Sequence, residues 1–413
     1  MPQPYPHISQ PLIAGLIAFA SLLTACTKTE AIPASLADAG PSSETSPARS
    51  QEIGDAPAAA LTYELEELAT GLNHPSSIAF LPGGELLVAE RNGGLRIIVN
   101  GALQDAPIAG LPPIHVKSQA GFQEVVLSPE YGATGEVFIA YSHGTAKANG
   151  TRLAKAQLVL PEEGGAGSGE LRNLEILFTR EPWSTTSNHY GGRIAFLPDN
   201  TLLLALGEGY KYKDEAVNLD NHFGKIIRLN LDGSIPEDNP FVGQDGAKAE
   251  IYSYGHRNPQ GLIVTKDGTI ISHEHGPKGG DEVNIIKAGA NYGWPVITYG
   301  LDYSGATVSP YSAREGLAQS VIHFIPSIAP SGLTMYDGDL FPDWQGDLFI
   351  GALAHRHIRR IDVQADGTYG TQEELFGELD ARIRDVRTGP DGALYFVTDA
   401  AQGKLYRASP KAP

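Results

Sequence analysis

The sequence predicts an all-β fold, namely a six-bladed β-propeller of four-stranded antiparallel blades. Three observations support this prediction. A strand–turn–strand pattern recurs six times in the 413 residues, turn-forming residues separate the paired strands, and no long segment has the apolar period of a helix. The copies lie roughly 45 to 70 residues apart, and a period above about 40 residues disfavours a β-sandwich or a β-helix.

The repeated unit is a short apolar strand, a turn, and a second apolar strand that ends in small or polar residues. Its six copies are residues 77–90, 124–141, 193–206, 261–273, 332–352 and 385–398, the fifth with an insertion around residues 341–344. Turns such as PGG at 82–84 and PDG at 390–392 are typical of hairpins. One small antiparallel sheet cannot bury both of its faces, so neighbouring blades are expected to stack around an axis.

The N-terminal region precedes the repeats and has a different composition. Residues 12–23 are strongly apolar, too few to span a bilayer but of the length found in signal peptides. Residues 23–26, LTAC, resemble the cleavage box of bacterial lipoproteins, although no Lys or Arg precedes Leu12. We therefore predict a lipoprotein-type signal peptide over residues 1–26, export to the periplasm, and a lipid anchor on Cys26 in the outer membrane. The alternatives are a plain secretory signal and a wrongly assigned start of the chain.

Residues 27–60 are rich in Ala, Ser, Pro and Glu and contain almost no large apolar residues. Such a composition cannot bury enough surface to fold, so it predicts a flexible tether. The catalytic propeller is then expected to occupy residues 61–413. Membrane contact is expected only through the N-terminal lipid anchor.

The charge and the cysteine content exclude several classes of function. The chain has 30 basic and 48 acidic residues, a net charge of −18, which repels phosphate backbones and excludes a nucleic-acid partner. Cys26 is the single cysteine, so the predicted propeller domain has neither disulfides nor thiol chemistry. A small neutral or cationic ligand fits this composition better.

Four polar segments between the hairpins are candidates for a ligand site, because the loops on one face of a propeller are where ligands usually bind. The first is SNHYGGR at residues 187–193. The imidazole of His189 can take a proton from a substrate hydroxyl near neutral pH. A hydrogen-bonded structural histidine is the alternative.

The second segment is GHRNPQG at residues 255–261. Arg257 offers a bidentate fork for carboxylate or quinone oxygens, and Asn258 can both donate and accept hydrogen bonds. The same two residues can instead hold a turn in place.

The third segment, HEHGPKGGDE at residues 273–282, is followed by NYGWP at 291–295. Glycines and a proline beside two carboxylates favour a bent loop whose oxygens suit a hard cation, with calcium the natural candidate. Two alternatives are a zinc site at the histidines that flank Glu274, which lacks a third ligand at zinc spacing, and simple solvation of the acidic groups.

The fourth segment is ARIRD at residues 381–385. Alternation along a strand places Arg382 and Arg384 on one side, where two guanidinium groups suit an anion with several carboxylates. Pairing with Asp380 and Asp385 is the alternative.

Taken together, these segments resemble the glucose/sorbosone dehydrogenase family, most closely its bacterial aldose sugar dehydrogenase branch. The likeness runs from about residue 68 to 408 and depends on ordered motifs: NHYGGR, GKIIRLNLDG, IPEDNPF, SYGHRNPQGL, EHGPKGGDEVN, NYGWP and RIRDVRTGPDG. The resemblance implies a six-bladed propeller whose central cavity holds pyrroloquinoline quinone (PQQ). It implies oxidation of aldose sugars at C1 to the lactone, with electrons passing to a respiratory or artificial acceptor. The resemblance does not predict an oligomeric state.

The resemblance also implies roles for individual residues. His189 matches the general base that takes the proton of the C1 hydroxyl while hydride passes to the quinone. The residues that match contacts of the cofactor are Gln119, Arg257, Asn258, Tyr303, Arg382 and Arg384. One position departs from the family, because Ala354 stands where a lysine usually contacts the cofactor.

For the metal, the backbone carbonyls of Gly276 and Pro277 match ligands of the calcium that polarises the quinone. Glu282 and Tyr292 match a separate, structural calcium site. Asp281 is then expected beside the active site, orienting His189 or substrate.

Two other functions remain open at this point. A calcium-dependent lactonase or esterase propeller would line its cavity with acidic and Asn side chains, whereas the candidates here include three arginines. A non-enzymatic binding propeller would not require His189, Arg257 and the arginine pair to converge.

Overall fold

The structure is a computed structural model that describes residues 50–57, 63–161 and 168–411. The predicted signal peptide, Cys26 and residues 27–49 of the predicted tether lie outside the described residues. Six antiparallel sheets of four strands account for almost all of the regular structure, which confirms the six-bladed propeller. Each of the six sequence repeats forms the two innermost strands of one blade.

The first three blades use the strands in chain order from the centre outwards. Blade 1 contains β3 (Pro75–Phe80), β4 (Leu86–Glu90), β5 (Gly94–Val99) and β6 (Ala102–Leu103). Blade 2 contains β7 (Phe122–Leu127), β8 (Glu136–Thr145), β9 (Ala148–Val159) and β10 (Glu170–Thr179). Blade 3 contains β11 (Gly191–Phe196), β12 (Thr201–Leu206), β13 (Lys225–Asn230) and β14 (Ile251–Tyr254).

The last three blades continue the pattern, and the sixth closes the ring. Blade 4 contains β15 (Pro259–Val264), β16 (Ile270–Glu274), β17 (Asp281–Ile285) and β18 (Ile322–Phe324). Blade 5 contains β19 (Pro330–Met335), β20 (Leu348–Ala352), β21 (Ile358–Val363) and β22 (Tyr369–Leu375). Blade 6 contains β23 (Ile383–Thr388), β24 (Leu394–Thr398) and β25 (Gly403–Pro410), and its outer strand is the N-terminal β2 (Tyr63–Leu72). The two ends of the domain therefore meet in one sheet, which removes a free edge.

Helices are few and short. The described residues contain one α-helical turn, α1 (Tyr131–Thr134), and three 3₁₀ turns, at Lys213–Glu215, Pro342–Trp344 and Gly377–Leu379. The insertion expected in the fifth repeat is the second of these 3₁₀ turns. In the described residues, no helix has the length and apolarity needed to cross a membrane.

A short strand at the N-terminus corrects the predicted tether. Strand β1 (Gln51–Ile53) pairs in parallel with β18 and adds a fifth strand to blade 4. Ile53 is buried against that blade, in the same cluster as Phe324. The tether predicted over residues 27–60 therefore does not extend through residues 51–53. The local composition could not predict this strand, because its pairing partner lies about 270 residues further along the chain.

Hydrophobic clusters lie between neighbouring blades, one at each of the six junctions. The cluster between blades 1 and 2, for example, joins Leu87 and Phe122, and the cluster between blades 6 and 1 joins Val397 and Val88. The remaining junctions have similar clusters. Each blade therefore buries its two faces against the two neighbouring blades, as the repeat pattern predicted.

The centre of the ring is polar. Glu124 on β7 accepts hydrogen bonds from Arg193 Nη1 (3.3 Å) and Arg387 Nη2 (2.5 Å), while Asp385 Oδ2 accepts from Arg387 Nε at 3.0 Å. Arg193 lines a cavity at one end of the channel, and Arg387 lines a second cavity at the opposite end. This ion-pair network divides the channel, so the first cavity is closed at its base.

Candidate active site

The cavity closed by the ion-pair network, here called the upper cavity, has a volume of about 350 Å³. That volume falls within the range of about 300–1,000 Å³ typical of small-molecule sites. Its walls come from the beginnings of the innermost strands and the loops beside them. The lining residues are Ser76, Arg91, Ser118, Gln119, Phe122, Gln123, Tyr190, Gly191, Arg193, Asn258, Gln260, His275, Ala329, Leu353, Arg382, Arg384 and Asp399.

His189 lies immediately beside the upper cavity, before β11. Its ring is buried, and its Nδ1 lies 2.9 Å from Glu208 Oε1. A carboxylate accepts only, so Glu208 fixes the tautomer that carries a proton on Nδ1 and leaves Nε2 able to accept one. Burial lowers the pKa of His189, the bond to Glu208 opposes this shift, and the charge of Arg257 adds to it. The imidazole is therefore neutral at neutral pH.

The backbone of His189 is also held in place. Its N–H donates to Gln119 Oε1 at 2.8 Å, which links the histidine to a residue that lines the cavity. His189 has a φ of 54°, in the left-handed region that non-glycine residues seldom adopt. The ring of Tyr210 packs edge-on to the imidazole at 5.2 Å and is half exposed. These contacts fix the imidazole and leave an aromatic surface beside it.

The two predicted arginines both line the upper cavity, although Arg382 precedes β23 and Arg384 lies at an irregularity in the pairing of β23 with β24. Arg384 Nη2 donates to Asp399 Oδ2 at 2.6 Å, and Arg382 Nη1 donates to Leu353 O at 3.0 Å. Burial alone would raise the pKa of Asp399, but Arg384, His74 and Arg382 hold it well below its usual range. The alternative pairing with Asp380 and Asp385 does not occur, because Asp380 pairs with Arg356 and Asp385 with Arg387.

The side chains of Arg257 and Asn258 line two different cavities. Asn258 lines the upper cavity, and its Oδ1 accepts from Gly191 N at 3.3 Å. Arg257 instead lines a separate, narrow cavity, where its Nη1 donates to His275 O at 3.1 Å. Its guanidinium lies over the ring of Trp294 at 5.3 Å, and its Nε is buried without a partner among the described residues.

The narrow cavity, here called the acidic cavity, contains three of the four predicted metal residues. Gly276, Glu282 and Tyr292 line it together with Glu274. Glu274 and Glu282 lie directly opposite each other in the β16–β17 pairing. Burial, followed by repulsion from Glu274, raises the pKa of Glu282 to about 8. Two carboxylates, Glu274 buried and Glu282 partly buried, face each other in an oxygen-rich cavity and fit a hard cation.

The backbone oxygens beside the acidic cavity have the chemistry that such a cation needs. Within the described part of the chain, the carbonyls of Gly276 and Pro277 accept no hydrogen bond. The Tyr292 hydroxyl donates to Ile285 O at 2.5 Å and accepts from Lys287 N at 2.9 Å. The side chain of Tyr292 is therefore occupied, so the oxygen it can offer to a metal is its carbonyl.

Asp281 does not contact His189, so the first of the two roles predicted for it, orienting His189 or substrate, is wrong. Its Oδ1 accepts from Gly276 N at 2.9 Å, and its Oδ2 accepts from Ser327 Oγ at 2.6 Å and Ala329 N at 3.0 Å. Asp281 thus holds the loop that contains Gly276, and Glu208 takes the predicted orienting role. Their positions in space, and not their motifs, decide this assignment.

The zinc alternative at the histidines flanking Glu274 does not fit the geometry. His273 Nε2 lies 3.4 Å from Gly332 O, and His275 Nε2 lies 2.7 Å from Pro330 O, so both rings bond to the backbone of blade 5. Glu274 turns the other way, towards His256 Nδ1 at 3.1 Å. The three side chains therefore do not converge on one ion.

Two positions lie outside the cavity walls. Tyr303 is 60% exposed in the loop after β17 and does not line the upper cavity. Ala354, at the position where the resemblance implies a lysine, is also exposed, whereas its neighbour Leu353 lines the cavity.

Arg91, Glu208 and Asp399 were missed by the motif analysis. Arg91 lines the upper cavity, and its Nε is buried without a partner in the described residues. All three residues follow the second strand of a repeat, within two positions of its end. Aligning the repeats by that strand end would have revealed a charged residue there in blades 1, 3 and 6.

Comparison with known proteins shows which proteins this chain is similar to. The family described as Glucose / Sorbosone dehydrogenase matches residues 72–407. Aldose sugar dehydrogenase YliI of Escherichia coli is 38% identical over 361 residues, which cover 86% of this chain and 95% of that protein.

Two solved structures share the fold closely. A crystal structure of a glucose dehydrogenase has a TM-score of 0.79 and 39% identity, covering 85% of this chain and 100% of that one. The PQQ-bound form of the aldose sugar dehydrogenase from Streptomyces coelicolor has a TM-score of 0.67 and 25% identity, covering 84% and 98%.

Proposed function

Because the chain belongs to the glucose/sorbosone dehydrogenase family, we propose that it oxidises aldose sugars at C1 to the lactone with bound PQQ and calcium. The observation that carries this proposal is the upper cavity. A histidine oriented by a carboxylate lies beside it, and four arginines line it in an otherwise acidic protein. An acidic lactonase cavity would have the opposite charge.

The arginines of the upper cavity fit a flat anion that carries several carboxylates. Arg382 and Arg384 lie on one wall, and Arg91 supplies a guanidinium whose Nε has no partner among the described residues. Arg91 is our candidate for the cationic contact that Ala354 does not provide. Gln119 and Asn258 complete the polar wall, whereas Arg257 lies behind it. PQQ, when bound there, supplies the two-electron oxidant that accepts a hydride from the sugar.

His189 is the proposed general base. Glu208 keeps the Nδ1 proton in place, so Nε2 is free to accept the proton of the C1 hydroxyl. As that O–H bond and the C1–H bond break, the C1–O bond becomes the carbonyl of the lactone. Because burial lowers the pKa of His189, the base is ready in its neutral form.

Calcium is the proposed metal of the acidic cavity and of the adjoining loop. Glu282 and the Tyr292 carbonyl are its proposed ligands in one position, and the carbonyls of Gly276 and Pro277 in the other. Calcium contributes Lewis acidity and neutralises the facing carboxylates. Asp281 supports the second position by fixing Gly276.

The experiment that tests this function is a reconstitution titration. The chain from residue 27 to 413 is purified, treated with a chelator, and supplied with calcium, glucose and an artificial dye acceptor, after which PQQ is added in steps. We expect saturable activity that requires both calcium and PQQ. Absence of quinone binding would refute the proposal, and calcium-independent turnover would refute the role of the metal.

We also propose that the enzyme is exported to the periplasm and attached to the outer membrane through Cys26, where it delivers electrons to a respiratory acceptor. A palmitate analogue fed to expressing cells should label the chain, and Cys26→Ser should abolish the label. Labelling of the serine variant would contradict the lipid anchor.

A further inference from the structure

Two histidines and a glutamate come together on blade 5, away from the proposed calcium residues. His355 and His357 lie in the loop between β20 and β21, and Glu374 lies on β22. One ligand atom from each of the three lies within 4.8 Å of the others. The same loop contributes Leu353 to the upper cavity, whereas none of the three cluster residues lines that cavity.

His357 is the most informative member of the cluster. It is 1% exposed, yet its Nε2 has no hydrogen-bond partner among the described residues. Its Nδ1 lies 3.6 Å from Glu374 Oε2, beyond the range of a normal hydrogen bond. Buried polar atoms in native proteins are almost always partnered, so this imidazole lacks an interaction that the protein chain does not supply.

The protonation of His357 suits a metal ligand. Burial, together with the charge of Arg359 and the proximity of His355, lowers the pKa of His357 to about 3. The ring is therefore neutral at neutral pH, and a neutral imidazole is the form that binds metal ions.

Glu374 is oriented towards His357 by its other contacts. Arg359 Nη2 donates to Glu374 Oε1 at 3.1 Å, which leaves Oε2 directed to the histidine. The Glu374 N–H donates to Pro57 O at 2.9 Å, and Arg359 Nη1 donates to Gly54 O at 3.0 Å. The N-terminal segment thus supports the carboxylate from outside, as the outer partners of metal ligands do.

From this arrangement we propose that His355, His357 and Glu374 bind one divalent ion of the zinc class. Two imidazole nitrogens and one carboxylate oxygen favour Zn²⁺ and its transition-metal neighbours over Ca²⁺. His355 is only partly buried and lies in a loop, so its ring can move the short distance to the ion. Water fills the fourth position. Arg359 weakens the attraction for a cation, so the ion is exchangeable.

The test uses tag-free chain 27–413, stripped with a chelator and then saturated with calcium. Zn²⁺ is added in competition with a chromophoric zinc chelator, without quinone or sugar, so the result is independent of the dehydrogenase activity. We expect one Zn²⁺ per chain and a rise in Tm on its addition. His355→Ala should weaken binding at least about tenfold, since even the loss of an outer partner of a ligand costs 10–100-fold.

His143→Ala is the matched control, because His143 is also partly buried but lies on β8 of blade 2. Its zinc affinity should equal that of the unchanged chain. Glu374→Gln keeps the size of the side chain but removes its charge, and it should also weaken zinc binding. This variant tests the site without changing a histidine. Equal affinity in His355→Ala and His143→Ala, or no saturable binding in the unchanged chain, would overturn the proposal.

Discussion

At the scale of single residues, the proposed chemistry depends on pairs in which one side chain sets the state of another. Glu208 fixes the tautomer of His189, and Asp399 holds Arg384 in the cavity wall. In each pair the side chain of the carboxylate is largely shielded from solvent, 1% exposed for Glu208 and 8% for Asp399, so its charge is only weakly screened by water. Substitutions should therefore separate binding from catalysis.

His189→Ala removes the proposed base and little else from the cavity. We expect sugar oxidation to fall by roughly 10²–10⁴-fold, which is the usual contribution of a general base, with PQQ binding nearly unchanged. Steady-state kinetics and a quinone titration measure the two effects. Near-normal turnover would contradict the assignment.

Glu208→Gln tests Glu208 as a positioning residue. The bond to Glu208 raises the pKa of His189, so losing the charge should lower that pKa further. The acid limb of the kcat/KM profile should then move to lower pH. The rate should fall about tenfold or more, since a charge-assisted hydrogen bond contributes about 1.5–3 kcal/mol. An acid limb that stays in place would exclude this role.

Replacing both Arg382 and Arg384 with Ala should weaken PQQ uptake at least about tenfold, because two charged contacts to carboxylates are lost. Arg356→Ala is the control, since Arg356 is exposed and pairs with the surface residue Asp380. Quinone titration followed by activity gives both affinities. Equal affinities for the double variant and the control would place the pair outside the binding site.

At the scale of elements, strand β1 joins the N-terminal region to the propeller. It extends blade 4, and residues just after it bond to Arg359 and Glu374 on blade 5. This short segment therefore links two blades. Its contribution should appear as stability and not as activity.

A chain that begins at residue 58 should be less stable than one that begins at residue 50. Burial of Ile53 alone contributes about 1.5–3 kcal/mol, and the backbone partners of Arg359 and Glu374 are lost as well. Urea unfolding of the two chains measures the difference. Ile53→Ala in the longer chain should reproduce part of it, whereas the exposed Gln51→Ala should not.

At the scale of the whole molecule, six similar blades form one closed ring whose polar centre closes the base of the upper cavity. The ring is sealed by β2 in blade 6, and each junction has its own apolar cluster. The acidic cavity lies within blade 4, with Glu274 and Glu282 facing each other. A cation there would stabilise the fold as well as the site.

Removing calcium should lower the Tm of the protein, and calcium, but not magnesium, should restore it, because flexible oxygen ligands suit calcium better. At one hundred times the dissociation constant, the ion would contribute about 2.7 kcal/mol. Glu282→Gln should reduce this response, since one of the two proposed calcium positions loses its carboxylate, while Glu66→Gln at an exposed position on β2 should leave it intact. A calcium response in Glu282→Gln as large as that of the unchanged chain would remove that residue from the site.

The sequence by itself determined the features that repeat or alternate along the chain. Six hairpins gave six blades, because a strand pair and its turn are local. The motif at residues 381–385 identified Arg382 and Arg384 as cavity residues, and the motif before β11 identified His189 beside the cavity.

Only the tertiary structure decided which distant groups meet. Glu208 and not Asp281 orients His189, Asp399 pairs with the arginines, β1 joins blade 4, and the histidines of the β20–β21 loop meet Glu374. In each case the partners come from different strands or blades, and their distance depends on ring closure and on the angle between strands. Local pattern carries no information about those quantities, because they are set by how all six blades pack together.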